Sequence, residues 1–77
     1  MRYFFDIDDD RRLIRDRDGH EFQTRQEVRN AAIVALPDIA RDELPDGDRR
    51  VFTVKVRDGT GKFVFEATLS LIATWLD

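Results

Sequence analysis

Apolar and polar residues alternate in several stretches of the chain, and this two-residue period is typical of β-strands. The first stretch, Arg2–Asp8, is predicted to be a strand, and a short return strand is expected over Arg12–Arg15 after a turn at Asp8–Asp10. Further along, Arg50–Arg57 and Lys62–Thr68 are predicted to form a β-hairpin.

Between these two pairs of strands, the apolar spacing changes to that of a helix. Thr24 and Glu27 form the Thr-x-x-Glu pattern of a capping box, which predicts that a helix begins after Thr24. Pro37 costs an internal hydrogen bond, but the apolar stripe continues past it, so we expect one helix kinked at Pro37 and ending near Glu43. The alternative is two short helices that meet at Leu36–Pro37. The predicted stripe consists of Val28, Ala32, Ala35, Leu36 and Ile39.

Two segments, Arg15–His20 and Arg57–Lys62, share the order Arg-Asp, two residues, Gly and a basic residue. In such a turn the Asp opens the bend and the Gly can adopt a positive φ, which costs other residues steric strain. The residues in these roles are Asp16 and Gly19 in the first segment, and Asp58 and Gly61 in the second.

The tail, Leu69–Asp77, fits two patterns. Alternation from Phe63 to Trp75 suits one long strand, whereas the apolar residues of the tail also form a helical stripe. We favour a short closing helix capped by Thr68 or Ser70. The complete order is then ββαββ plus a tail, which predicts a single α+β domain spanning residues 1–77, with a mostly antiparallel sheet and the helix on one face.

The length and composition of the chain limit the classes of protein to which it can belong. A domain of 77 residues has a small core and a thin margin of stability, and the absence of Cys excludes disulfides and thiolate metal sites, so self-association becomes more attractive. Met1 is followed at once by a predicted strand, and no apolar run reaches the ~20 residues of a membrane span. We therefore expect a cytoplasmic protein without a leader or a membrane segment.

The 13 basic and 16 acidic residues are interspersed, and the net charge is −3. This distribution argues against nucleic acid as a partner, since a nucleic-acid binder concentrates its basic residues on one face. Arg11, Arg12, Arg15 and Arg17 are the one cluster that could support such binding, and nearby Asp residues offset it.

Catalytic and metal-binding residues are scarce. His20 lies in a predicted turn without an evident partner, and Ser70 lacks the context of a nucleophile. The run from Asp6 to Asp10 resembles the start of a calcium loop, but Arg11 then stands at the Gly position and Arg17 at the closing Glu position. No phosphate-binding glycine motif is present. We expect neither an enzyme nor a bound metal or cofactor.

Apolar side chains at predicted surface positions are more informative. Phe4 points away from Tyr3 and Phe5 and is predicted to lie on the second sheet face, where Val51, Val64 or Trp75 are candidates to join it. Either the tail or a second copy of the chain would have to cover that face. Ile33, Pro37 and Leu44 are predicted to lie together on the outer side of the helix as another contact surface.

The sequence resembles a family of short uncharacterised alphaproteobacterial proteins that is classed as a domain of unknown function. The resemblance implies no catalytic residues, cofactor or substrate. The matching pieces are the R-Y-F-F-D-I start at Arg2–Ile7, the turn Asp16–Gly19, the Ala-rich segment Ala31–Pro45 and the hairpin turn Val56–Gly61.

A more distant, fold-level likeness is to HicB-type antitoxins, which also begin with an aromatic strand and a hairpin. We therefore consider a protein-interaction or regulatory module, with a homodimer or another protein as partner, as the first hypothesis. The alternative is an antitoxin-like inhibitor whose acidic turns, Asp6–Asp10 and Asp46–Asp48, meet a basic toxin or nuclease.

Overall fold

The computed structural model describes residues 1–77 and contains five strands and one helix. The order is βββαββ, because a second short strand, His20–Glu21, follows the predicted return strand and also pairs with the first strand. The elements are β1 (Arg2–Asp8), β2 (Leu13–Ile14), β3 (His20–Glu21), α1 (Arg25–Glu43), β4 (Arg49–Arg57) and β5 (Phe63–Ile72). The α+β prediction and its order are thereby confirmed, with β3 as an addition that the sequence did not reveal.

All strand pairings are antiparallel, and β1 and β4 form the centre of the sheet. One side of β1 pairs with β3 at its start and with β2 at its end, while the other side pairs with β4. β5 pairs with β4 along nearly its whole length, with an irregularity between Val56 and Arg57, and it is the outer strand on that side. The predicted hairpin is therefore present and longer than expected.

The core lies between α1 and one face of the sheet. The helix buries Val28, Ala32, Leu36 and Ala40 on one side, four positions apart, as a 3.6-residue period requires. Small alanine side chains let the helix approach the strands closely. The sheet side of the core consists of Tyr3, Phe52, Val54 and Val56.

The helix begins at the predicted capping box. The Thr24 hydroxyl oxygen accepts a hydrogen bond from the Glu27 amide at 3.1 Å, and the Glu27 carboxylate accepts from the Thr24 amide at 3.0 Å. The helix continues through Pro37 and ends at Glu43, so the alternative of two short helices is wrong. Pro37 is exposed, which keeps its ring away from the sheet.

Two expectations for the chain after the hairpin turn are wrong. The tail does not form a closing helix, because β5 runs to Ile72 and its backbone pairs with β4 as far as Arg49. The Ala73 amide also donates to the Asp48 carbonyl at 2.8 Å, so the pairing with the chain before β4 continues one residue beyond the strand. Val64 does not lie on the second sheet face, since the irregularity in β5 turns it towards the core.

Candidate interaction surface

The outer side of β1 is closed along its whole length, partly by a side chain. Between the short pairings with β3 and β2, the Asp16 carboxylate accepts a hydrogen bond from the Phe5 amide at 3.0 Å. The Asp16 amide in turn donates to the Asp6 carboxylate at 3.0 Å. A side-chain oxygen thus takes the place of a strand carbonyl, and this edge offers little to a further strand.

A second aspartate closes the start of β4. β1 ends at Asp8, so the first residues of β4 extend past it, and the Asp10 carboxylate accepts from the Val51 amide at 2.7 Å. Asp10 adopts a φ of 66°, a conformation that Asp tolerates better than most residues. Two carboxylates therefore bind backbone amides on this side of the sheet that no strand pairs with.

β5 forms the open edge. It has ten residues, pairs only with β4, and contains neither Pro nor any charged residue except Glu66. Glu66 lies 3.7 Å from the Lys55 ammonium of β4. Natural edge strands are usually short, bulged, covered or charged, and these features prevent pairing with another chain. β5 has one of these features, the irregularity at Val64 near its start, and apart from the charge of Glu66 it continues from Phe65 to Ile72 without another. β5 is therefore a long, nearly uncharged edge strand with no partner on its outer side.

Several exposed apolar side chains lie along β5 and in the residues after it. Trp75, which was expected to lie on the second sheet face, is instead 91% exposed in the tail. The tail therefore does not cover that face, and its own apolar residues contact little. The exposed residues are Phe63, Leu69, Ile72, Trp75 and Leu76, and we refer to them with the β5 backbone as the β5 edge.

Phe4 does lie on the second sheet face, but polar groups of the same chain cover it. The Arg57 guanidinium lies 5.0 Å from the centre of its ring and binds the Asp6 carboxylate through two hydrogen bonds of 2.8 Å. A third bond of 2.8 Å joins Arg57 to the Asp16 carbonyl. Hydrogen bonding to Arg57 lowers the pKa of the buried Asp6 below its usual range, and the same contact raises the pKa of Arg57. This part of the face is a closed polar cluster rather than an apolar patch.

The predicted contact surface on the outer side of the helix is not assembled. Ile33 and Pro37 are exposed on the helix, whereas Leu44 follows it and packs against the core. The Leu44 amide donates to the Ala40 carbonyl at 2.8 Å, which turns the chain inward. Val34 is another exposed apolar residue of the helix.

Acidic side chains gather around one buried arginine at the C-terminal end of the helix. Arg50 is 1% exposed, and its guanidinium donates to the Asp9 and Asp46 carbonyls and to the Glu43 carboxylate at 3.1–3.2 Å. Its Nε has no hydrogen-bond partner, although the Asp10 carboxylate lies 3.4 Å away. The sequence contains a signal for this burial, because Arg50 shares the inward phase of β4 with Phe52 and Val54.

The acidic turns are thus engaged inside the chain. Backbone amides of Arg11 and Arg12 donate to the Asp9 carboxylate and lower its pKa, and the Arg11 guanidinium lowers the pKa of Asp46. No group of three or more carboxylate and histidine side chains, with or without His20, lies close enough together to hold a metal ion. These contacts leave fewer free carboxylates for a basic partner than the sequence suggested.

The four predicted arginines do not form one patch. Arg11 pairs with Asp46, and Arg12 lies 3.9 Å from Asp9, at the far end of β1. Arg15 and Arg17 instead line a surface hollow of about 420 Å³ beside Phe4 and Arg57. A nucleic-acid surface needs its cations on one face, and this separation counts against it.

Groups suited to catalysis are likewise apart. His20 is exposed in β3 opposite Tyr3, and Ser70 is exposed in β5 opposite Val51, so the sheet separates them by β1 and β4.

The single helix lacks the apolar length that a membrane crossing needs.

Comparison with known proteins yields one match. No curated protein and no solved structure matches the chain. A family model described as a domain of unknown function (DUF6894) matches residues 2–70, which covers every strand except the end of β5. The chain therefore belongs to the DUF6894 family.

Proposed function

We propose that this protein is a protein-interaction module that binds through the β5 edge and has no catalytic activity. The observation that carries the proposal is the contrast between the two sides of the sheet. Asp16 and Asp10 occupy backbone amides on one side with side-chain hydrogen bonds, whereas β5 is a ten-residue edge strand whose alternate residues direct their backbone groups away from β4 to the open side. Strand addition to such an edge is a common mode of recognition.

The chemistry of the β5 edge suits this mode. Main-chain groups of an edge strand supply hydrogen bonds to an added strand, and alternate side chains supply selectivity. In β5, Leu69 lies opposite the buried Phe52, while Thr68 faces the other side and its hydroxyl contacts that of Thr53 at 3.2 Å. An added strand would therefore meet apolar contacts on the helix side and hydroxyl groups on the other.

The proposal is tested by capture of a partner from the native host with three tagged forms of the chain. The wild type and the control Val34→Lys, which changes an exposed residue of the helix, are expected to recover the same stoichiometric protein. The double variant Leu69→Lys/Ile72→Lys places two charges on the β5 edge and is expected to lose it. Far-ultraviolet circular dichroism checks that all three forms are folded.

Amide hydrogen exchange then locates the contact on the recovered complex. Protection that increases in β5 and the tail supports the proposal. Equal recovery with the double variant, or protection confined to the outer side of the helix, contradicts it.

A further inference from the structure

We propose that the partner of the β5 edge is a second copy of this chain, paired antiparallel through β5 around a two-fold axis at Ser70. This inference rests on the proposed function, since it names the occupant of the same edge. The result is one continuous antiparallel sheet with both helices on the same face. Each copy adds its β5 to that of the other.

Self-pairing needs no second sequence. In an antiparallel pair around a two-fold axis, each strand presents the same donors and acceptors to its partner, so the contact is self-complementary. The lack of charge in β5 also allows it, because Glu66 is the one residue that could repel its copy. Any register that keeps the two Glu66 side chains apart avoids like-charge contact.

The side chains favour the register centred on Ser70. Leu69 then faces Leu71 of the second copy, and Phe65 faces Trp75, so apolar residues meet on the side that carries the helices. Thr68 faces Ile72 on the opposite side, and Glu66 faces Thr74 rather than itself. A register centred on Glu66 opposes two carboxylates. A register centred on Val64 leaves Ile72 and Trp75 without a facing residue in β5 of the second copy.

The size of the contact is compatible with a stable dimer. In the register centred on Ser70, Thr68–Ile72 of the two β5 strands pair directly over about 17 Å, and the tail after Ile72 in each copy continues the contact along the β5 strand of the other. An aromatic side chain of the size of Trp75 buries about 150–250 Å², so covering Trp75 in both copies contributes roughly 400 Å². The backbone edge, Leu69 and Ile72 add to this towards the ~1,000 Å² that a specific interface needs.

The shape of the chain is consistent with pairing. Its radius of gyration is 13.9 Å and its extents are 51 × 22 × 18 Å, whereas a compact domain of this length has a radius of gyration of about 11–12 Å. The largest extent is more than twice each of the other two, so the chain is elongated. Twelve of the 77 residues are buried, so a shared sheet would add cover to a small core.

Single cysteines test the register directly, because the chain contains none of its own. In Ser70→Cys the two thiols face each other across the axis, within the reach of a disulfide after small shifts. The matched control is Val51→Cys, which lies beside Ser70 on the same face but one strand further in. Its two thiols would be about 14 Å apart, three strand spacings, and beyond disulfide reach.

We expect Ser70→Cys to form a covalent dimer rapidly in an oxidising glutathione buffer, at least tenfold faster than Val51→Cys. Sedimentation of the unmodified chain is expected to give a dimer, and Leu69→Lys/Ile72→Lys a folded monomer. Equal cross-linking rates for the two cysteine variants, or a monomeric wild type, would overturn the inference. A monomeric wild type that still loses its host partner in the double variant would leave the proposed function intact and reject only the second copy.

Discussion

Two turns of this protein share one local sequence pattern and differ in almost everything around it. In Arg15–His20 the Asp16 carboxylate accepts from the Asp18 and Gly19 amides, and Gly19 has a φ of 67°. In Arg57–Lys62 the Asp58 carboxylate accepts from the Thr60 and Lys62 amides, and Gly61 has a φ of 91°. The local pattern therefore produces the same kind of bend twice.

Residues at equivalent positions of the two turns contribute differently to stability, because their surroundings differ. Gly19 is buried against β1, whereas Gly61 lies at the tip of the hairpin with nothing within 4 Å of a Cβ placed there. For the glycines the residue of the first turn is the more closely packed one, whereas for the arginines the second turn has the more contacts. Arg57 binds Asp6 and Asp16, while Arg15 makes no ion pair. A turn motif thus fixes the shape of the backbone, and the long-range contacts decide what each residue contributes to stability.

The glycines give the largest expected difference. A Cβ at Gly19 would lie 2.8 Å from the Tyr3 carbonyl oxygen and 2.9 Å from the Phe4 ring. Left-handed strain of about 1–2 kcal/mol and overpacking of about 1–3 kcal/mol act together there. We expect Gly19→Ala to lower the free energy of unfolding by about 4 kcal/mol, and Gly61→Ala by about 1 kcal/mol, in urea titrations.

Equal losses for the two glycine variants would show that backbone conformation alone decides the cost. That result would contradict the close packing of Gly19 against β1.

The arginines give the second-largest expected difference, and here the residue of the second turn contributes more to stability. In Arg57→Leu the Asp6 carboxylate, which is 3% exposed, loses its two strongest hydrogen bonds and stays buried. A buried charge left without its partner costs about 3 kcal/mol. Arg15→Leu is the matched control and should change the free energy of unfolding by less than about 0.5 kcal/mol, because Arg15 is exposed.

Thermal unfolding of the two leucine variants measures this contrast. A similar melting temperature for both would mean that the contact between Arg57 and Asp6 does not persist in solution.

The two aspartates give a smaller expected difference. They differ in the number of carboxylate oxygens that accept hydrogen bonds. Asp16 uses both, with one oxygen bound by Asp18 and Gly19 and the other by Phe5. Asp16→Asn replaces one acceptor by a donor, so one bond is lost and the variant should be less stable by about 1–2 kcal/mol. Asp58 uses one oxygen, and Asp58→Asn can keep its carbonyl there.

We therefore expect the smaller loss for Asp58→Asn, and hydrogen exchange at the Phe5 amide should accelerate only in Asp16→Asn. An unchanged exchange rate at Phe5 would contradict the role of Asp16 as a substitute for a strand partner.

The same contrast explains what the sequence could predict. The capping box of Thr24 and Glu27, the two Asp–Gly turns and the β4–β5 hairpin are local patterns, and each is present in the structure. The tail fitted two periods, and the pairing of Leu69–Ile72 with Arg49–Phe52 of β4 decides the choice in favour of a strand. No short window of the sequence contains that information, because the paired residues lie 17 to 23 positions earlier.

The candidate site depends even more on distant contacts. Asp16 and Asp10 look like ordinary turn residues, yet they close one side of the sheet through the Phe5 and Val51 amides. The open edge of β5 follows from this closure rather than from a motif. Trp75 was predicted at the surface but on the second sheet face, and the burial of Arg50 had a local signal, as a charged residue at an inward position of a strand.

The smallest expected effect is the pH dependence of the contact between Arg57 and Asp6. Hydrogen bonding to Arg57 lowers the pKa of Asp6 in the folded protein. A carboxylate with a lower pKa in the folded than in the unfolded state binds more protons when unfolded. It stabilises the fold above its ordinary pKa of about 4, and this contribution is lost as the pH falls through the folded pKa.

Arg57→Leu lacks this contribution at every pH, so the difference in unfolding free energy between wild type and variant should be constant above about pH 5 and narrow below about pH 4. Arg15 acts on Asp6 only through weaker long-range charge, so the corresponding difference for Arg15→Leu should remain small throughout. Urea titrations of the three proteins over this range test the prediction. A gap for Arg57→Leu that stays constant on acidification would mean that the arginine stabilises the fold by its packing over Phe4 rather than by its bond to a carboxylate.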